Sequence, residues 1–185
     1  MESSNSNYLK SVKDLFQYYR SLGDKAFVQI DDQDIHWRYN EESNSIAAIV
    51  KHISGNSLSR WTDFLTADGE KEWRDRDDEF EDTITSKDDM ITLWNKGWEC
   101  LFDALKGLTE DDLMRTIYIR NEGHTVIEAI NRQLAHIPSH VGQIIFVAKM
   151  IAGAGWQSPT IPKGQSVAFN KEKFSAEKQN KFFGK

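Results

Sequence analysis

Apolar residues recur at intervals of three and four in four long stretches of this chain, and that spacing admits little but helices. The first stretch covers 7–22 with Leu9, Val12, Leu15, Phe16 and Tyr19, and Gly23 reads as its stop. The segment 26–40 then reads as an irregular connection, with Val28 and Ile30 as a possible extension of the helix. A second helix is predicted from Asn44 or Ser45 to about Leu65, with Ile46, Ile49, Val50, Ile53, Leu58, Trp61 and Phe64 on its apolar face. A third follows an N-cap at Ser86, with Asp88 and Asp89 in its first turn, and continues through Met90, Trp94, Trp98, Leu101, Leu105 and Leu108. The fourth starts at Thr125 and ends near Gly153.

The segment 68–86 is charged and poor in aliphatics, so it reads as a long solvated loop anchored by Trp73 and Phe80. "TEDDL" (109–113) suits one capped turn, and "RTIYIRNEGHTV" (115–126) suits a small hairpin turning at Asn121–Gly123. From about 154 to 185 the chain should be an extended tail, frayed at its end. The fold class is therefore all-α: one domain over 1–185, a bundle of four long helices with a small hairpin or loop insertion.

Composition narrows the function. The chain carries 23 basic and 29 acidic residues, a net charge of −6, which disfavours nucleic acid as a partner. The basic residues of the tail, from Lys163 to Lys185, are diluted by polar and aromatic ones. Cys100 is the single cysteine, so no disulfide can form within the chain, as suits a reducing, cytoplasmic setting. It falls in the apolar pattern of the third helix and reads as a buried structural thiol. Trp94 and Trp98, four apart, should pack inward together. No signal core is apparent near Met1, and no apolar run approaches the ~18 residues of a membrane span, so no membrane partner is expected.

Polar residues on the apolar faces are the functional signal. His136 and His140 lie four apart on the fourth helix, which puts their Cβ atoms roughly 6 Å apart, within reach of one divalent ion. Ile137 stands where the zinc-protease motif needs its glutamate, so that motif is absent. On the second helix His52, Asn56 and Arg60 form a polar stripe beside apolar neighbours. Burying such groups unpartnered costs on the order of 1–3 kcal/mol each, a cost that a cavity with a metal or ligand removes. Three neutral imidazoles with open positions are a common catalytic metal arrangement. Pro138 sits between the two histidines of the fourth helix, where it frees the carbonyl of Leu134 and could re-aim His136 relative to His140. His36 and His124 fall in connections and read as surface or capping residues.

"ESNSIAAIVKHISGNSLSRW" (42–61), "AHIPSHVGQIIFVAKMI" (135–151) and "IPKGQS" (161–166) resemble the DinB-like superfamily, which includes the YfiT-type metal-dependent proteins. More narrowly they resemble an uncharacterised branch whose members end in such an Ile-Pro-Lys-Gly segment. The resemblance implies an up-down-down-up four-helix bundle, often a homodimer. It implies a divalent metal, commonly nickel or zinc, on His52, His136 and His140. Characterised relatives include mycothiol-dependent isomerases and bacillithiol transferases, in which the metal is thought to favour the cofactor thiolate. The expected activity is thus a metal-dependent transfer of a low-molecular-weight thiol to a small electrophile. Arg60 and Asn56 would line the cavity and orient an anionic group, and Gln143 could hold a metal-bound water. A hydrolase using the same triad is the alternative, with Glu42 and Glu128 as weak candidate bases. A non-catalytic, dimeric, stress-related metal-binding bundle is the third reading.

Overall fold

The computed structural model describes residues 4–179. Among them the chain is mostly helical, with five α-helices and one two-stranded antiparallel sheet. Helix α1 (Ser4–Phe27) buries Leu9, Val12, Phe16, Leu22 and Ala26 along one stripe. It does not stop at Gly23. That glycine lies inside the helix, buried, where a Cβ would come within 2.5 Å of the Trp94 ring. Its role is close approach between helices, not termination.

Helix α2 (Ile46–Trp61) begins where Ser45 Oγ accepts from the Ala48 amide at 3.2 Å. It ends one turn sooner than the apolar spacing suggests. Thr62 is extended and Asp63 takes a left-handed φ of 50°, so Phe64 enters the core from a turn. Helix α3 (Lys87–Lys106) starts on the Ser86 cap, as its sequence predicts. Trp94 meets Trp98 edge-on at 5.3 Å and Phe27 of α1 at 5.1 Å, so the two tryptophans do pack inward together.

After a short turn at Glu110–Asp112 come β1 (Thr116–Ile119) and β2 (Glu122–Thr125), paired with Ile117 opposite His124. The hairpin turns one residue earlier than expected, on Arg120 and Asn121, both left-handed (φ 56° and 61°). Arginine is an unusual choice there. Asp68 compensates, because its carboxylate accepts from the amides of both turn residues at 2.8 Å.

Helix α4 (Val126–Ala152) runs unbroken across Pro138. Thr125 and Glu128 cap it reciprocally: Glu128 Oε2 accepts from the Thr125 amide at 2.7 Å, and Thr125 Oγ1 accepts from the Glu128 amide at 3.2 Å. Thr125→Ala should destabilise the protein by about 1 kcal/mol, read as a lower urea midpoint at unchanged slope. By length and composition the stretch Val126–Gly155 is apolar enough to cross a membrane, contrary to the expectation that no apolar run reaches that length. Its Ile130, Ile137, Val141 and Ile144 lie in the protein core.

Helix α1 packs on α4, α2 on α3, α2 also on α4, and α1 also on α3. Phe16, Ile53, Trp98, Leu101, Ile137 and Ile144 fill the shared interior. The tail is not wholly extended. It holds α5 (Ser166–Ser175), which buries no residue and so owes its helicity to local preference. Upstream, Gln157 and Gln29 exchange two hydrogen bonds that tie the tail to the end of α1. The fraying expected at 180–185 lies outside the described residues.

Candidate metal centre

On α2 the stripe His52, Asn56, Arg60 faces the Gln133, His136, His140 stripe of α4 across one cavity of about 310 Å³. Spacings of four on α2 and of three and four on α4 stack these groups on one face, and the packing of α2 on α4 brings the faces together. His136 Nε2 stands 3.1 Å from His52 Nε2 and 3.2 Å from His140 Nε2. The crossing is sealed lower down by Gln133 Nε2, which donates to Asn56 Oδ1 at 3.1 Å.

The outer nitrogens decide what the inner ones offer. His52 Nδ1 lies 2.8 Å from Glu79 Oε2, and a carboxylate only accepts, so this nitrogen carries the proton. His140 Nδ1 lies 2.8 Å from Gln143 Oε1, again an acceptor. In the neutral rings both Nε2 atoms therefore bear lone pairs, and both point at His136. A single proton on His136 Nε2 can satisfy one of them and leaves the other facing it bare.

A cation resolves that conflict. Nitrogens about 2.1 Å from a common ion stand about 3.0 Å apart at right angles and about 3.4 Å at the tetrahedral angle, which brackets the two distances from His136. The three histidines could thus hold a metal ion. Burial, then the neighbouring His140 and His52, push His136 down to about 3, and burial pushes His140 down too. Both rings are neutral near pH 7, as ligands must be.

No local sequence pattern singles out Glu79. It comes from the segment 68–86, which reads as a solvated loop, yet Glu79 is only 4% exposed. Burial alone would raise its carboxyl; hydrogen bonds from His52 and Arg74, with the Arg74 charge, hold it below the usual carboxylate range. Arg74 donates to Glu79 from Nε at 2.7 Å and from Nη2 at 2.9 Å, and to Glu70 from Nη1 at 3.1 Å. A carboxylate gripping the outer nitrogen of a ligating histidine fixes its tautomer and ring orientation. Gly55 on α2 makes this possible, since a Cβ there would sit 2.8 Å from Glu79 Cδ. Lys51 pins the same loop through the Asp78 carboxylate (2.8 Å) and Thr83 Oγ1 (2.7 Å). Phe80 stacks on the His52 ring at 5.0 Å. The other expected anchor, Trp73, is 61% exposed.

The remaining candidates fall elsewhere. Gln143 accepts from His140 Nδ1 through its Oε1 and lines a neighbouring cavity. Glu128 is spent on the α4 cap. Glu42 is exposed and lines a separate cavity of about 570 Å³ with Trp37, Tyr39 and Phe146. Cys100 is half-buried beside Thr62 rather than fully enclosed, and burial raises its thiol. His36 pairs with Asp82 at 2.5 Å, and His124 lies in β2.

Fold and site together define a mostly helical protein with a three-histidine cluster able to hold a metal. Residues 3–165 match the family described as "Protein of unknown function (DUF1572)", and the chain belongs to that family. No curated protein matches it. The match stops just short of α5.

Proposed function

We propose that this protein is a metal-dependent enzyme of the DinB-like superfamily that transfers a low-molecular-weight thiol to a small electrophile. The observation that carries the reading is the convergence of three Nε2 atoms beside an open cavity. Zinc and nickel both suit three neutral imidazoles, and the donor set alone does not choose between them. A divalent ion held there would lower the pKa of a nearby thiol and favour its thiolate at neutral pH.

The rest of the work falls to the chain. Glu79 and Gln143 hold His52 and His140 in the tautomers that aim lone pairs inward. Arg74 keeps Glu79 charged. Phe80 and the loop that carries it cover one side of the His52 ring. A four-helix bundle in up-down-down-up order fits the pairing of α1 with α4 and α2 with α3. The link at 62–86 is long enough to run back along α2, about 24 Å at 1.5 Å per residue, as parallel neighbours require. The reading includes a cytoplasmic homodimer that binds neither nucleic acid nor membrane.

The hydrolase reading is weaker, because the described carboxylate nearest the triad, Glu79, is committed to His52 and Arg74. A purely structural site is weaker too, because such sites are closed by protein ligands and this one opens onto a cavity. The test is a turnover screen of zinc- and nickel-loaded protein with small thiols and alkylating or epoxide electrophiles. Thiol consumption above the uncatalysed rate, absent after chelation, is expected. Ester or amide hydrolysis without thiol would move the assignment to the hydrolase.

A further inference from the structure

The wall of the histidine cavity is cationic in a protein whose net charge is −6. Arg60, Arg74, Arg76, Arg120 and Arg132 line it. Three of them are occupied. Arg74 is spent on Glu79 and Glu70, Arg120 reaches Glu70 at 3.3 Å, and Arg76 sits over the Phe80 ring at 5.5 Å. Arg60 is different. It is 6% exposed, and its Nε and Nη1 are buried with no hydrogen-bond partner among the described residues. Arg132, exposed at the rim, has no ion pair among them either, and its charge bears on Arg60.

A buried guanidinium with two nitrogens lacking a hydrogen-bond partner is costly, and among the described residues only the charge of Glu70 offsets it, without a hydrogen bond. The backbone is nonetheless shaped around it. Gly69 leaves room for the Arg60 stem, since a Cβ there would meet Arg60 Cδ at 3.0 Å. The Gly69 amide donates to the Tyr118 carbonyl at 2.8 Å, and neighbouring Asp68 clamps the turn that carries Arg120. One short segment therefore positions both the buried arginine and the hairpin arginine above the cavity.

We infer that the cavity binds a small molecule through a compact dianionic group, seated between Arg60 and Arg132 beside the three histidines. A phosphate ester and a dicarboxylate share that chemistry. Two free guanidinium groups match two negative charges, and a bound oxyanion would supply the acceptors that Arg60 lacks. The anion would hold the substrate so that its uncharged, reacting part points along the cavity towards His136. The inference rests on the cavity's being the substrate site and does not require an ion on the triad.

Calorimetric titration tests it, using the full chain after chelator treatment so that an anion cannot bind a metal instead. Inorganic phosphate, succinate and acetate are the probes, at low ionic strength because screening weakens such contacts. Phosphate or succinate should bind at least about tenfold more tightly than acetate, and whichever of the two leads identifies the ester or the dicarboxylate. Arg60→Gln should weaken the dianions about 10- to 100-fold, the loss expected of one charge-assisted contact. Arg60→Lys should recover part of that loss. Arg132→Gln, at an exposed site that carries no folding risk, should also weaken them, and Lys10→Gln on α1 should not. Equal binding of acetate and the dianions, or dianion affinity unchanged in both arginine variants, would overturn the inference. The two proposals fail separately. Arg60-dependent binding in a protein that takes up no metal removes the metal reading only, and metal uptake without dianion binding removes this one only.

Discussion

His136→Ala should reduce affinity for zinc or nickel by roughly a thousandfold or more, well beyond the 10- to 100-fold that loss of an outer partner costs a metal site. His136 is the centre of the cluster, with its Nε2 within 3.1 and 3.2 Å of the other two. Without it, two imidazoles on different helices remain, and two ligands do not enclose an ion. The fold should survive, because the lost ring is neutral and only half-buried. The clean readout is thermal melting with and without metal. A ligand at 100 times its Kd stabilises by about 2.7 kcal/mol. Wild type should show that gain and the variant none, while both melt alike in chelator. Equal stabilisation of the two by metal would mean that the ion binds elsewhere.

Glu79→Ala is the second large effect, and it acts on stability and metal together. Glu79 accepts from His52 at 2.8 Å and from Arg74 at 2.7 and 2.9 Å, all with little exposure. Breaking a buried ion pair by removing one partner costs about 3–5 kcal/mol. The lower end applies here, since Arg74 keeps Glu70. Metal affinity should fall 10- to 100-fold, because His52 loses the group that fixes its tautomer. Urea unfolding in chelator reads the first effect and metal titration the second. Glu79→Gln keeps an oxygen for His52 and should retain more affinity than Glu79→Ala. A stable alanine variant with wild-type affinity would show that Glu79 neither supports the fold nor orients His52.

Much of this was legible in the residues because helical spacing reports directly on faces. The intervals at Leu9–Tyr19 and Met90–Leu105 yield helices, with Leu108 just past the end of α3, and His52, His136 and His140 share a cavity as their phase implies. The misses have physical causes. Gly23 looks like a stop, but its missing side chain serves the Trp94 ring, and local sequence does not distinguish a helix end from a close packing contact. Helix α5 buries nothing, so it carries no amphipathic signal to read. Glu79 and Arg74 lie in a charged loop whose composition argues for solvent. Their burial follows from a pairing with His52 across 27 positions, and no local pattern encodes it. Gly55, four residues before Ser59 and in the middle of α2, was the one available hint that something approaches that helix closely.

The central claim is that His52, His136 and His140 hold a transition metal, and elemental analysis of untagged protein tests it most directly. Wild-type protein and the variant with all three histidines replaced by alanine should be purified side by side and measured for zinc, nickel and other first-row metals. About one equivalent per chain in the wild type and none in the variant is the expected result. No metal in the wild type, even after incubation with zinc or nickel, or equal metal in both proteins, would contradict it.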